Sequence, residues 1–384
     1  MHGIADLPSP DSCRAPAAGV RGMTVALIAP SLEILGGHAI QVRALARGLR
    51  SEGCDVLFVP INPSFPPGLR WLRRVRYVRT AVNEALYMPT LLRLRQSDVV
   101  HIFSASYWGF VMSPLPAILA ARSFGKRVVL HYHSGEASDH LARWGLLVHP
   151  WLRLVDEIVV PSEYLRGVFA QHGYQTRVIR NVVDTSRFVY RDRRPLRPML
   201  LSTRNLESHY GVDNTLMAFA RLRARYPDAT LTVAGSGSQE IRLRRLAASL
   251  GADGIRFMGR VEPGAMPGLC DEADIFVNSS IIDNQPVSVL EAFAAGLPVV
   301  STSAGDLAAL VRDGETGLIV PPGDPEAMAD AVVRLLDDHE RAVTISRRAR
   351  SEVEEYTWPH VRREWAAAYF GNDRASEAPG HTQA

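Results

Sequence analysis

From Met23 onward, short runs rich in valine and isoleucine alternate with stretches of helical periodicity, and the alternation occurs twice. The first series is MTVALIA (23–29), DVLFVP (55–60), DVVHIF (98–103), RVVLHY (127–132) and EIVVP (157–161). The second is MLLST (199–203), ATLTVAG (229–235), IRFMG (255–259), DIFVN (274–278), PVVST (298–302) and GLIVP (317–321). Continuous apolar runs of this length read as parallel strands buried on both faces. The stretch from His38 to Arg50, with Ile40, Ala44, Leu45 and Leu49 sharing a face, is the clearest intervening helix. The polar, proline-bearing RDRRPLRP (191–198) reads as a linker. The expected fold class is α/β, with two doubly wound Rossmann-like domains, residues 23–190 and 191–356, facing each other across a cleft. A chain of 384 residues has the length for two such domains. Residues 1–22 read as a disordered leader and 371–384 as a disordered tail. The leader lacks an apolar stretch, so no secretory signal is expected, and no run is apolar enough for a spanning helix. Three scattered cysteines, Cys13, Cys54 and Cys270, suit a reducing cytosol and offer neither a disulfide framework nor zinc spacing.

The basic residues are 42 arginines and one lysine, Lys126. The bias itself reads as that of a GC-rich, bacterial genome. It nonetheless removes mechanisms. A Walker-A loop needs Gly-Lys-Ser/Thr, but Gly125-Lys126 is followed by Arg127 and has Ala120 where the first glycine belongs. Kinase and Schiff-base chemistry would both fall to Lys126. Anions must therefore be held by arginine, backbone N–H groups or helix ends. Residues 1–190 carry a net +8 and residues 191–384 a net −5, so the first half is expected to face an anionic surface. Within residues 65–95 lie Arg70, Arg73, Arg74, Arg76, Arg79, Arg93 and Arg95 against one acid, Glu84. Trp71, Leu72, Val75, Tyr77, Val78 and Leu86 are interleaved, as in a basic amphipathic helix on anionic lipid. Nucleic acid is the rival partner for such a stretch and finds no other support; DEAD (271–274) without a Walker loop is coincidence.

Four strand ends carry the chemistry. In LEILGGHAIQ (32–41), Gly36 and Gly37 open a helix after the first strand, where backbone can approach an anion. VLHYHSGE (129–136) ends a strand with His131 and His133, which are expected to point in different directions, one to the cleft and one into the core. A His-x-His zinc site would need a third ligand that the sequence does not place. AGSGSQE (234–240), with Gly235 and Gly237, lacks the last glycine of a dinucleotide fingerprint and reads as a phosphate-approach turn. The fourth is SSIIDNQPVSVLEAFAAGLPVVSTSAGDL (279–307). Here Asp283 precedes a helix that starts near Val287, Glu291 lies in its early turns, and Asn284, Gln285 and Pro286 lead into a positively polarised N-terminus. Asp283 or Asn284 would alternatively serve as a helix cap.

These residues resemble the retaining GT-B glycosyltransferases of family 4, the group 1 glycosyl transferases, over residues 23 to about 370. The family's pattern of Glu, seven residues, Glu, then Ala-x-Ala-x-Gly-x-Pro-Val-Val is matched with Asp283 in the first position and Glu291 in the second. DGETGLIVPPGDPEAMADAV (313–332), VPSEYLRGVF (160–169) and IRNVVD (179–184, Val182 replacing glycine) match further segments. The resemblance implies that Glu291 binds the donor ribose, Asp283 lies against the donor sugar and Arg204 clamps the donor diphosphate. It places His133 at the acceptor side of the reacting centre and Gly36 and Gly37 in the first-strand glycine loop. It also implies that TWPHVRREWAAAYF (357–370) crosses back onto the first domain. Two departures stand out. Asp283 is one methylene shorter than Glu, a loss of about 1.5 Å in reach. In STRNLESHYGVD (202–213) the family's clamp lysine is missing; Tyr210 precedes Gly211 in its place, with His209 beside it, so Arg204 is the main cation assigned to the diphosphate.

The resemblance implies a retaining glycosyltransferase that moves a sugar from a nucleotide-sugar donor to a glycan or lipid-linked acceptor in bacterial surface polysaccharide or glycolipid synthesis. It would be cytoplasmic and peripheral on the inner membrane face. No Asp-x-Asp pair is present, so no metal or other cofactor is expected. A degenerate GT-B scaffold subunit and a GT-B nucleotide-sugar epimerase are the alternatives.

Overall fold

The computed structural model describes residues 22–31, 37–66, 68, 71, 74–251 and 253–371. Its first half runs β1 (Thr24–Ala29), α1 (Gly37–Ser51), β2 (Asp55–Pro60), α2 (Arg76–Thr90), β3 (Val99–Ser104), α3 (Trp108–Met112), α4 (Pro114–Ser123), β4 (Arg127–Tyr132), α5 (Ala137–Arg143), α6 (Gly145–Leu152), β5 (Glu157–Val160), α7 (Glu163–Gln171) and β6 (Arg177–Val178). The second runs β7 (Met199–Ser202), α8 (Val212–Arg225), β8 (Thr230–Ala234), α9 (Glu240–Ser249), β9 (Ile255–Gly259), α10 (Met266–Glu272), β10 (Ile275–Asn278), α11 (Val287–Ala294), β11 (Val299–Thr302), α12 (Leu307–Leu310), β12 (Leu318–Val320), α13 (Pro325–Asp337), α14 (His339–Val353) and α15 (Trp358–Phe370).

Each half forms a six-stranded parallel sheet, ordered β2-β1-β3-β4-β5-β6 and β12-β11-β10-β7-β8-β9. In each sheet the order reverses beside the first strand, between β1 and β3 and between β7 and β10, so each has a switch point where ligands collect at the strand ends. Every strand of the central pairs is buried on both faces, which explains the uninterrupted Val/Ile runs. In the first sheet, Tyr87, Phe110, Ile118, Leu141 and Phe169 cover one side. Val42, Leu45 and Leu49 of α1 cover the other, together with Val361, Trp365 and Tyr369 of α15. Burying each such side chain contributes about 2 kcal/mol, so α15, last in the chain, belongs to the core of the first half. In the second sheet, α8 and α13 pack on one side and α11 on the other, and α14 gives Ala342 and Ile345 to the first and Ala349 and Val353 to the second.

Helix starts follow their local chemistry. Asp324 accepts the N–H of Ala327 at 2.9 Å ahead of Pro325, and Asp338 accepts that of Arg341 at 3.0 Å. Ser162 caps α7 through the N–H of Leu165 at 3.2 Å.

Some expectations need correction. Segment 191–198 has no regular structure but is no loose linker. Arg191, Arg193 and Arg197 all turn onto Asp274, which has no exposed surface. Arg197 binds both carboxylate oxygens, at 2.8 and 3.0 Å, and adds its own N–H at 2.8 Å. Arg193 also donates to the carbonyls of Ala273, Ala295 and Cys270. Within 65–95 the α-helix starts only at Arg76 and ends in a 3₁₀ turn, Leu91–Gln96. Its core contacts are Tyr87, Leu91 and Leu94, and Trp71, Val75, Tyr77 and Val78 of the pattern are exposed. Arg70, Arg73 and Leu72 lie outside the described residues, as do 1–21 and 372–384 of the expected leader and tail. No helix among the described residues is long and apolar enough to cross a membrane.

Candidate active site

A cleft of about 600 Å³ opens between the carboxyl ends of the two sheets. Its first-half wall includes Gly37, His38, His133 and Asn181; its second-half wall includes Arg204, His209, Tyr210, Gly235, Arg260, Asp283 and Glu291.

Arg204 follows β7 and is 8% exposed. One guanidinium nitrogen is ion-paired with Asp283, and another donates to Ser288 at 3.1 Å. The guanidinium lies 4.2 Å from the centroid of Tyr210, in cation–π geometry. Tyr210, standing where the resemblance expects lysine, thus supports the remaining cation by its ring face. Asp283 accepts the Ser280 hydroxyl at 2.9 Å and the N–H of Asn284 at 3.0 Å. A buried charge pair is held only when its remaining lone pairs and protons are satisfied, and Asp283 meets that condition. Arg204 leaves its Nε without a partner.

Helix α11 has Pro286 as its N-cap and no side-chain cap. Neither Asp283 nor Asn284 caps it: Asp283 turns to Arg204, and Asn284 accepts the Ser162 hydroxyl of the first half at 2.6 Å. The helix start, with Pro286, Val287 and Ser288, therefore forms cleft wall, and its positive end faces the opening. Glu291 sits one turn further in, with 4% exposure. Burial pushes its carboxyl up to about 7, only partly offset by the charge of Arg187.

Gln285 lines the cleft and also bonds across the seam between the halves. It donates to the carbonyl of Pro161 at 2.9 Å and accepts the N–H of Asn181 at 2.7 Å, while Asn181 donates to its backbone carbonyl at 2.8 Å. Gln41 locks Val182 by two bonds of 2.8 Å. The IRNVVD segment is thus a docking strip for the DNQP loop.

The glycines divide. Gly37 begins α1 on the cleft wall, and Gly36 lies outside the described residues. Gly235 lines the cleft because its backbone presses on the carbonyl of Arg204, leaving no space for a Cβ. Gly237 is off the wall; its backbone packs against the carbonyl of Leu206.

His133 faces the cleft, and its ring lies flat against Phe103, with centroids 5.6 Å apart and planes 8° apart. His131 is 3% exposed and lies behind it, 3.9 Å between ring centroids. The expectation that the two point in different directions is wrong: residues two apart in a strand share a side. Only His133 reaches the opening because it lies beyond the end of β4. Burial holds both rings well below the usual imidazole range, with neighbouring histidines adding to the shift. Among the described residues, no group of three or more His, Cys, Asp or Glu is arranged to hold a metal ion.

Sequence reasoning missed several cleft residues, Arg260 and Ser288 among them. Arg260 immediately follows β9 and supplies a second cation on the wall; the strand-end rule alone would have found it. Ser288, the neutral partner of Arg204, carried no signal.

The family model for Glycosyltransferase Family 4 matches residues 35–187, and that for Glycosyl transferases group 1 matches residues 197–338. A glycogen synthase of Mycobacterium tuberculosis is 32% identical over 300 residues, which is 73% of this chain and 70% of the relative. The chain belongs to the family 4, group 1 glycosyltransferases. This family member is also 29% identical over 332 residues to a GDP-mannose-dependent alpha-(1-6)-phosphatidylinositol monomannoside mannosyltransferase of the same organism, covering 78% of this chain and 84% of the relative. In fold it is similar to Anabaena HepE, solved with UDP-glucose, with a TM-score of 0.70 at 17% identity over 90% of this chain and 98% of HepE. The GT-B arrangement of two facing α/β halves is common to both.

Proposed function

We propose that this glycosyltransferase is a retaining enzyme that transfers a sugar from a nucleotide-sugar donor to a glycan or lipid-linked acceptor. The observation that carries the reading is the convergence of Arg204, the uncapped start of α11 and Glu291 on one wall, opposite His133. A nucleoside diphosphate presents a diphosphate and a ribose diol, and this wall offers each its complement. Relatives whose names specify GDP-mannose, and a fold neighbour solved with UDP-glucose, support a donor of that class.

On donor binding, the diphosphate takes over the Arg204 guanidinium, and Asp283 is released toward the sugar. Arg204, Arg260 and the N–H groups at the start of α11 then stabilise the charge that develops on the departing diphosphate. Glu291 accepts the two ribose hydroxyls. His133, uncharged, stands where a neutral hydrogen-bonding group meets the sugar without competing for the anion. The chain works as a peripheral protein on anionic lipid, through exposed Arg74, Arg79, Arg93 and Arg95 and the apolar Tyr77, Val78 and Leu92 beside them. No metal is assigned a role.

The test is a screen of UDP-, GDP-, ADP- and TDP-sugars for nucleotide release, with the product anomer read by proton NMR. Turnover with a product of the donor's anomeric configuration is expected. An inverted product overturns retention, and a changed donor sugar without acceptor replaces transfer by epimerisation. Nucleotide binding without turnover under any condition points to a scaffold.

A further inference from the structure

Behind His133 the polar groups continue into the core. Val99, His101 and Phe103 of β3 lie on the side of the sheet covered by α1 and α15, as does Val129 of β4. His131 and His133, in register with that face, continue the row. An otherwise apolar layer therefore contains two imidazoles beneath the one that reaches the cleft. His101 has no exposure and His131 has 3%. Apolar side chains of the same size would avoid the desolvation cost of buried ring nitrogens.

The nitrogens form an ordered line. The Tyr369 hydroxyl lies 2.8 Å from His101 Nδ1, and His101 Nε2 lies 3.3 Å from His131 Nδ1. His131 Nε2 and His133 Nε2 are buried without hydrogen-bond partners. The two rings meet at 3.9 Å between centroids, tilted by 46°. Trp365, one turn before Tyr369 on α15, packs edge-on to His131 at 4.9 Å. Burial pushes His101 down to about 3 and His131 well below its usual value, so each ring is neutral and carries one proton.

A neutral imidazole has one donor and one acceptor nitrogen. Two proton arrangements fit this line. In one, Tyr369 donates to His101 Nδ1, His101 donates from Nε2 to His131 Nδ1, and His131 carries its proton on Nε2. In the other, every bond is reversed. The Tyr369 hydroxyl proton then finds no acceptor among the described residues, and His131 Nε2 is a bare lone pair. The first leaves fewer buried groups unmet.

We propose that Tyr369, acting through His101 and His131, positions His133: a hydroxyl on the last helix holds in place the buried ring against which the histidine that faces the reacting sugar is packed. The proposal rests on His133 lying at the reacting centre. It makes α15 part of the site as well as of the core. Because α15 follows α14, which packs in the second half, the line ties His133 to the chain segment that returns from that half.

The test is nitrogen-15 NMR of histidine-labelled full-length protein. The 12 histidines are resolved by single substitutions at positions 101 and 131. Both His101 and His131 are expected in the Nε2–H form; an Nδ1–H form of either overturns the proposal without turnover having to be measured. Failure here is thereby distinguished from failure of the transferase reading. In Tyr369→Phe, which keeps the ring packing, the His131 and His133 signals are expected to move. In the same variant kcat should fall about 10-fold with the donor KM unchanged. Unmoved signals, or an equal loss from Tyr369→Phe in a His133→Ala background, would overturn it.

Discussion

At the scale of single residues, the ion pair of Arg204 with Asp283 decides what the cleft does when empty. The carboxylate occupies the cation that a diphosphate would use. Arg204→Ala removes the clamp and leaves Asp283 beside the phosphates, so kcat/KM is expected to fall about 100-fold or more. Arg204→Lys keeps the charge but not the fork that reaches Asp283 and Ser288 together, and should recover little of the loss. Steady-state kinetics of the two variants check both statements; full activity in the alanine variant would remove Arg204 from the mechanism. Glu291 gives a stability signature. Its folded value of about 7 stands above the usual 4.5, so the folded state holds a proton that the unfolded chain has released. That contribution is complete below pH 4.5 and is lost as pH rises through 7. Relative to Glu291→Gln, the parent should lose up to about 3 kcal/mol between pH 4 and 8. Urea melts at the two pH values measure it, and parallel curves would contradict the burial. The spacing of Asp283 and Glu291 was legible because both lie on one strand–loop–helix unit. The pairing of Arg204 with Asp283 was not, because it joins strand ends that only the sheet order brings together. The parity of His131 and His133 was legible and was misread.

At the scale of elements, the sequence announced its buried strands by unbroken Val/Ile runs, whereas β6, at two residues, is too short to show any period. Segment 191–198 shows where composition misleads. Arginine and proline in a row signal an exposed linker, yet the counter-charge lies at Asp274, inside a DEAD string dismissed as coincidence. Burial alone would push the Asp274 carboxyl up; hydrogen bonds and charge from Arg197, with Arg191, hold it below the usual carboxylate range. Its stabilising contribution is thus present above the ordinary carboxylate pKa and lost only as pH falls through the depressed value. Asp274→Asn keeps the shape and removes the charge that gathers three arginines. A loss of about 3 kcal/mol at pH 7 is expected, narrowing toward zero in acid. Thermal or denaturant melts read it, and an unchanged midpoint at pH 7 would mean that the cluster is held by its carbonyl contacts alone.

At the scale of the whole molecule, the two halves meet through a few directed bonds: Ser162 with Asn284, and Pro161 and Asn181 with Gln285. Asn284 and Gln285, expected from the sequence as donor ligands, line the cleft as well as the seam, because a polar loop before a helix can serve as ligand site and hinge contact at once. The charge split, +8 against −5, was fully legible, and the fold gives it a place. Helices α2 to α7 cover one side of the first sheet. That layer exposes Tyr77, Leu92, Trp108 and Leu146, the last at 96%, and it carries Arg74, Arg79, Arg93 and Arg95. Glu84 is the acid within this stretch, and burial pushes its carboxyl up. An arginine near an anionic bilayer contributes about 1 kcal/mol. Reversing Arg74 and Arg79 to glutamate both removes that attraction and adds repulsion. Binding to phosphatidylserine-containing vesicles is therefore expected to weaken at least about 30-fold at low salt. It should be unchanged on neutral phosphatidylcholine, and the difference should shrink as ionic strength rises. Neither residue lines the cleft, so turnover of a water-soluble acceptor should survive the reversal. Equal vesicle binding by parent and variant would mean that the excess positive charge of the first half serves some surface other than lipid.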